Sequence, residues 1–246
     1  MNSLYEKIRI IHFPSESEPF VVLDKPRGLP SAPLAQGDRC VVTFVLEKFP
    51  EIKSVAGKKP IEYGLVHRID TETRGLLLIA TSQDFYDRIN QEQTNGRFIK
   101  GYEADCDLLA CNEGFPASGG FYENVLNGIK KLTNESSLDV ELCSKFRPYG
   151  LKNKEVRPVT EFSGKAAERK ASPKEYRTKI KLTKSDGGIH ASCSLTEGYR
   201  HQVRCHLAWI GLPIKGDPLY NDVKDPDGEF KFTATSLEFL GFRFSL

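Results

Sequence analysis

Between Tyr176 and Thr183 the chain changes side-chain character at every residue. Tyr176, Thr178, Ile180 and Leu182 fall on one side, and Arg177, Lys179 and Lys181 on the other. A period of two describes a strand with one buried face. Asp186-Gly187-Gly188 then turns the chain into His190 to Thr196, so the two runs form a hairpin. Hairpins are antiparallel, which disfavours a doubly wound parallel sheet. Two further runs, Phe20 to Asp24 and Gly75 to Thr81, are mostly apolar without alternation and read as buried strands. Neither approaches the ~20 apolar residues of a membrane helix. Lys100 to Leu109 reads as another strand, and about Ala234 to Phe239 as the last. Helices fit Arg39 to Phe49 before Pro50, the stretch from a Ser82 or Asp84 cap to about Thr94, and His201 to Ile210 with Gly211 as its stop. Residues 110–174 are rich in Gly, Ser, Asn, Lys and Pro, and read as irregular. The expectation is an α+β fold, a mainly antiparallel mixed sheet flanked by helices and loops. With 246 residues, 39% of them hydrophobic, a single domain with its core at about residues 20–240 is expected.

The net charge is only +2, but it is segregated. Lys145 to Lys184 contains thirteen Lys or Arg against four Glu, a net of +9, which leaves −7 for the rest. Such segregation fits a polyanionic partner, or a solvated basic insertion at about 144–175 that is mobile. Six cysteines, Cys40, Cys106, Cys111, Cys143, Cys193 and Cys205, include no Cys-x-x-Cys pair, so free thiols are expected rather than a disulfide scaffold or a zinc ribbon. The five histidines show no metal-ligand spacing. The first residues lack the basic start and apolar stretch of a signal peptide. A soluble cytoplasmic protein is expected.

Three clusters carry chemical groups. His67-Arg68-Ile69-Asp70-Thr71-Glu72-Thr73-Arg74 packs polar residues just before a buried strand. Glu197-Gly198-Tyr199-Arg200-His201-Gln202-Val203-Arg204 lies where a strand passes into a helix, and the spacing of four puts Arg200 and Arg204 on one helical side. In Lys100-Gly101-Tyr102, alternation puts Lys100 and Tyr102 on one sheet face. Read singly, Asp70 also suits a turn, the arginines a solvated cap, and Tyr102 a core position.

Taken in order, these residues resemble a known family. Asp24-Lys25-Pro26-Arg27-Gly28-Leu29, His67-Arg68-Ile69-Asp70-Thr71 running to Gly75-Leu76-Leu77-Leu78, Lys100-Gly101-Tyr102, His201-Gln202-Val203-Arg204-Cys205-His206-Leu207, and Gly216-Asp217-Pro218-Leu219-Tyr220 follow the sequence of motifs in RluA-type pseudouridine synthases. His67 and His201 favour this branch over the related RsuA branch. Ile69 stands for the usual Leu, Arg74 for a Ser, and Tyr199-Arg200 for the usual Arg-Thr. Fewer than twenty residues precede the first strand, so the S4 domain that many family members carry is expected to be absent.

The resemblance implies the pseudouridine synthase catalytic fold with a central active-site cleft, and isomerisation of specific uridines in rRNA or tRNA. It implies no metal and no cofactor. The catalytic residues would be Asp70 as nucleophile, Tyr102 against the base and Arg204 as the partner of the aspartate. Substrate contacts would fall to His67, Arg68, Thr71, Lys100, Arg200, His201 and Gln202. RNA is the expected partner, with no membrane and no obligatory protein partner, so a monomer is expected. The other readings are an inactive RNA-binding protein of this fold, and an unrelated aspartate-nucleophile hydrolase.

Overall fold

A computed structural model describes residues 4–109, 114–117, 120–185, 187–223 and 228–246. Cys111 and Asp186 lie outside the described residues. The fold divides into two compact units, one formed by the chain up to Lys100 together with Thr233–Leu246, the other by Gly101–Phe232.

In the first unit, β1 (Arg9–His12), β2 (Phe20–Lys25), β3 (Arg74–Ala80) and β9 (Phe232–Phe239) lie side by side, and β10 (Phe242–Ser245) pairs with β9. All pairings are antiparallel except β3 with β9. Every residue of β2, and every residue of β3 after Arg74, is buried. That explains why these runs are continuously apolar: both faces need covering. Helix α1 (Val41–Lys48) and helix α2 (Gln83–Thr94) occupy the expected positions. The Ser82 hydroxyl caps α2 by accepting from Phe85 N, and Phe85, Tyr86 and Ile89 join Phe20, Leu76, Leu78, Phe98 and Phe239 in the core.

Gly75 is obligatory where β3 meets β9. Its φ is +135°, and a Cβ there would lie 2.1 Å from the Ala234 carbonyl oxygen. Gly75→Ala should lower stability by about 2–3 kcal/mol through overpacking and an unfavourable dihedral. Urea unfolding checks this, and a midpoint equal to that of the parent would contradict it.

The second unit orders its strands as β4 (Ile99–Cys106, entered from the first unit), β8 (Gly188–Leu195), β7 (Tyr176–Ser185), β5 (Ser137–Tyr149) and β6 (Glu155–Val159). Burial alternates along β4, β7 and β8, as the period of two requires. Helix α5 (Gln202–Trp209) is buried along its whole length.

The stretch expected to be irregular is not. It holds helix α3 (Phe121–Lys130), the thirteen-residue strand β5, β6 and the short helix α4 (Lys165–Glu168). Leu138, Val140 and Leu142 do alternate with Asp139, Glu141 and Cys143. Flanking Ser, Asn, Lys and Pro residues dilute that signal. Strand β5 does two jobs. Its first part pairs with β7, and Lys145 to Tyr149 then pairs with β6 as a two-stranded arm. The register also redistributes charge: Asp139 faces Lys181, Glu141 faces Lys179, and Glu141 forms an ion pair with Arg177. The outer face of β7 is therefore a set of mixed-charge cross-strand neighbours rather than an open basic strip. The five described cysteines are free. No described helix is long and apolar enough to cross a membrane.

Candidate active site

In the first unit, the segment carrying Asp70 is tied down along its backbone. Val66 N donates to Leu78 O of β3 at 3.2 Å. One residue on, His67 Nε2 accepts from Leu78 N at 3.3 Å, so Nδ1 carries the proton when the ring is neutral. Burial, with Lys100 and Lys58 adding to it, holds the His67 pKa well below its ordinary value. The buried Nδ1 has no hydrogen-bond partner among the described residues. The Ser31 hydroxyl accepts from Ile69 N at 3.2 Å and donates to Ile69 O at 2.7 Å. Thr73 N donates to Asp70 O at 3.0 Å and closes a turn on the aspartate.

The loop after β2 supplies the other clamps. Gly28 N, at φ +81°, donates to Thr71 O at 2.9 Å, and Arg27 Nε donates to Glu72 O at 3.0 Å. Buried Lys25 donates to three carbonyls: Pro26 at 3.0 Å, Leu29 at 2.7 Å and Thr71 at 2.9 Å. Burial pulls the Lys25 ammonium down to about 7, and the negative charges of Asp70 and Glu72 oppose that shift. Three carbonyl acceptors match the three N–H donors of the charged form, so the geometry is built around a cation. This gives Asp24-Lys25-Pro26-Arg27-Gly28-Leu29 a physical role: it is the cradle of the Asp70 turn. Asp24 itself faces Arg74, whose Nη2 lies 2.8 Å from Oδ2. The departure at residue 74 is thus a structural ion pair. Asp70 is half-buried and Thr71 is exposed. Arg68, 60% exposed at its side chain, forms a 3.4 Å ion pair with Glu62 among the described residues. Such exposure leaves the Arg68 guanidinium accessible from solvent.

On β4, Lys100 and Tyr102 share the buried face, as alternation requires. Lys100 Nζ lies 4.9 Å from the Phe98 ring centroid. Tyr102 stacks on Phe232 with ring centroids 5.4 Å apart and planes 13° from parallel.

In the second unit, Arg204 is buried with only 3% of its surface exposed, and Asp217 grips it in a fork. Nε donates to Oδ2 at 2.8 Å and Nη2 to Oδ1 at 2.7 Å. The rings of Tyr220 and Phe230 lie 5.2 and 5.1 Å from the guanidinium carbon. Asp217 Oδ1 also accepts from Leu219 N and Tyr220 N, and the Tyr220 hydroxyl meets Val156 N at 2.9 Å and His201 Nδ1 at 3.1 Å. Gly216 makes the turn possible: at φ +69° a Cβ would sit 2.2 Å from Glu229 O. Asp217 and Tyr220 are therefore functional candidates missing from the residue-type reading. Their signal was present in Gly216-Asp217-Pro218-Leu219-Tyr220.

Two expectations in this region are corrected. Arg200 and Arg204 do not share a helical side, because His201 takes a left-handed conformation (φ +56°) and α5 begins only at Gln202. Arg200 instead donates from Nη2 to Asn153 O at 2.5 Å and Glu155 O at 2.9 Å. Gln202 is 3% exposed and turned into the fold, donating to Arg177 O and the Thr178 hydroxyl and accepting from Tyr199 N. Every one of its polar contacts is internal, so it acts in packing α5 against β7. Beside it His206, its pKa lowered to about 3 by burial, bridges Ser144 and Thr178 as a neutral ring.

Comparison with known proteins bears on the family and the fold. Residues 19–209 match the family model described as RNA pseudouridylate synthase. The chain is 28% identical over 206 residues to ribosomal large subunit pseudouridine synthase D of Pseudomonas aeruginosa, covering 83% of this chain and 52% of that protein. It is 26% identical over 226 residues to an uncharacterized RNA pseudouridine synthase of Zymomonas mobilis, covering 89% and 82%. It is 27% identical over 205 residues to the tRNA pseudouridine(31) synthase of Saccharomyces cerevisiae, covering 83% and 45%. The chain thus spans about half the length of the first and last of these. The solved structure of human RNA pseudouridylate synthase domain containing 4 shares the fold, with a TM-score of 0.62 at 17% identity, over 96% of this chain and 87% of that one. From the ordered motifs, the pinned aspartate turn, the shared fold and the family match over 19–209, the chain belongs to the RNA pseudouridylate synthase family, in its RluA-type branch.

Proposed function

We propose that this chain isomerises uridine to pseudouridine within rRNA or tRNA, with Asp70 as the nucleophile. The C1′–N1 bond breaks, the uracil turns while bound, and C5 joins C1′. The C5 proton leaves and N1 gains one, so nothing is oxidised and no co-reactant is consumed. The observation that carries this reading is the Asp70 turn. Its backbone is pinned by Ser31, Lys25 and Gly28, while the half-buried carboxylate is the family's nucleophile position. A carboxylate is a weak nucleophile, and placement is what makes it effective. Family positions give Arg204 the role of a fixed cation toward the aspartate and Tyr102 the face against the base. His67, Arg68, Thr71, Lys100, Arg200 and His201 remain candidate RNA contacts. Extrusion of the target nucleotide precedes chemistry, since a stacked base cannot be reached. The chain is taken to act as a cytoplasmic monomer.

The test uses purified protein on rRNA and tRNA from cells lacking the gene, with pseudouridine mapped afterwards. New pseudouridine at defined sites supports the reading. Binding without product would make this an RNA-binding protein only. Tyr102→Phe refines the test. It keeps the ring and its stacking on Phe232 but removes the hydroxyl. RNA affinity should stay within about twofold, while turnover falls by about 10²–10⁴-fold, the usual worth of a proton-transfer group. Near-normal turnover would reduce Tyr102 to a stacking surface.

A further inference from the structure

The arm made by β5 and β6 ends in an apex at residues 150–154. A single exposed leucine is ordinary on a protein surface. Leu151, 81% exposed, differs from such cases in three ways.

It stands on a backbone that does not relax. Gly150 has φ +74°, and Lys152 and Asn153 both have φ +56°, two consecutive left-handed residues that are not glycine. Such conformations persist only where their surroundings hold them. Here Arg200 supplies the hold, with its Nη2 bonded to Asn153 O and Glu155 O on the far side of the apex.

The arm behind it is braced. The Arg147 and Arg157 guanidinium carbons lie 4.9 and 4.6 Å from the Tyr149 ring centroid. Arg157 also stacks on Phe115 at 4.2 Å and pairs with Glu155 at 2.7 Å. Only 8% of Arg157 is exposed, so it braces the arm and does not serve as an open phosphate contact. At the root, Val156 N meets the Tyr220 hydroxyl, and Cys205 Sγ meets Val156 O at 3.4 Å, which joins the arm to the helix carrying Arg204.

The apex is also basic. Lys152 and Lys154 follow Leu151 within three residues and are exposed. Within the basic stretch 145–184 they are set apart from Arg177, Lys179 and Lys181 of β7, which have acidic neighbours on β5.

An apolar tip followed by two cations, on a braced arm, has the chemistry of a wedge for stacked nucleic acid. The leucine replaces a stacking contact while the ammonium groups take the flanking phosphates. We propose that the apex 150–154 inserts Leu151 between bases of the RNA substrate, with Lys152 and Lys154 on neighbouring backbone phosphates. The inference rests on the RNA-directed reading above and adds a device for opening the stack.

Leu151→Trp tests it directly. The chain has one tryptophan, Trp209, which is buried and donates to Pro116 O, so the new indole gives a separable exposed emission. Saturating rRNA should quench that added emission by more than about half through stacking on bases, whereas heparin, a polyanion without bases, should leave it bright. Leu151→Ser should weaken rRNA binding about tenfold, the ratio that burying one leucine supports, with an unchanged salt slope. The pair Lys152→Gln and Lys154→Gln should lower that slope by about two. Unchanged indole emission on bound rRNA, equal quenching by heparin, or parent-like binding by Leu151→Ser would each overturn the wedge. The enzymatic reading is scored separately. If the parent chain makes pseudouridine and Leu151→Ser binds like it, only the wedge falls. If rRNA quenches Leu151→Trp but the parent makes no pseudouridine, the wedge stands and the enzymatic reading falls.

Discussion

Asp70→Asn will fold, bind RNA and make no pseudouridine. The substitution keeps the shape of the side chain, and the bonds that shape the turn come from the backbone: Thr73 N to Asp70 O, Ser31 to Ile69, and Lys25 and Gly28 to Thr71 O. None of these bonds uses the carboxylate as donor or acceptor, although its charge supports the Lys25 ammonium. Stability should fall by about 1–2 kcal/mol, within the ordinary range of a single substitution, because the backbone clamps persist. Losing the nucleophile should cost at least about 10⁴-fold in turnover. The measurement is pseudouridine formed under single-turnover conditions, with thermal unfolding and RNA binding run on the same preparation. Appreciable product from that preparation would remove Asp70 from the chemistry.

Arg204→Met should be the most destabilising single change considered for the second unit. The Asp217 side chain is 0% exposed, and Arg204 binds both of its oxygens. Removing the guanidinium strands a buried carboxylate, which costs about 3–5 kcal/mol. A stranded Asp217 is enough to produce a stability loss, so that loss by itself does not report on whether Arg204 also serves Asp70. A second substitution separates the two roles. In Arg204→Met/Asp217→Asn the stranded charge is gone, while the Asn oxygen still accepts from Leu219 N and Tyr220 N. The double variant should regain about 2 kcal/mol over Arg204→Met. If Arg204 has a catalytic role, turnover stays lost in the double variant although the fold is repaired. Equal instability of the single and double variants would show that the carboxylate charge is not the cause. Recovered turnover would confine Arg204 to scaffolding. Arg204→Lys keeps the charge but loses the fork, so it should fall between the parent and Arg204→Met in both readouts.

Much of the fold was legible because its signals are local. The alternation at 176–183, the unbroken apolar runs of β2 and β3, and the Ser82 cap each encode an element in neighbouring residues. Strand β5 carries a weaker local signal, since its three alternating pairs sit inside a Gly-, Ser- and Lys-rich background. The Asp70 turn was recognisable from motif order, but its clamps were not. Ser31 and Lys25 lie thirty-eight and forty-six residues from the backbone groups they hold, and no periodicity links them.

The amino-acid sequence by itself determined the element types, the mainly antiparallel pairing and the family, because hydrophobic period, turn chemistry and ordered motifs are properties of short stretches. Tertiary structure alone decided which charges are committed. One left-handed residue, His201, takes Arg200 off the helix and sends it to the β5–β6 apex. The strand register sets Asp139 and Glu141 against the lysines of β7. Arg157, counted with the basic tract, is enclosed by aromatic rings, and Arg204 is held by a carboxylate thirteen residues further on. Charge adds along a sequence, but ion pairing depends on distance and burial, and only the folded chain brings those partners within reach.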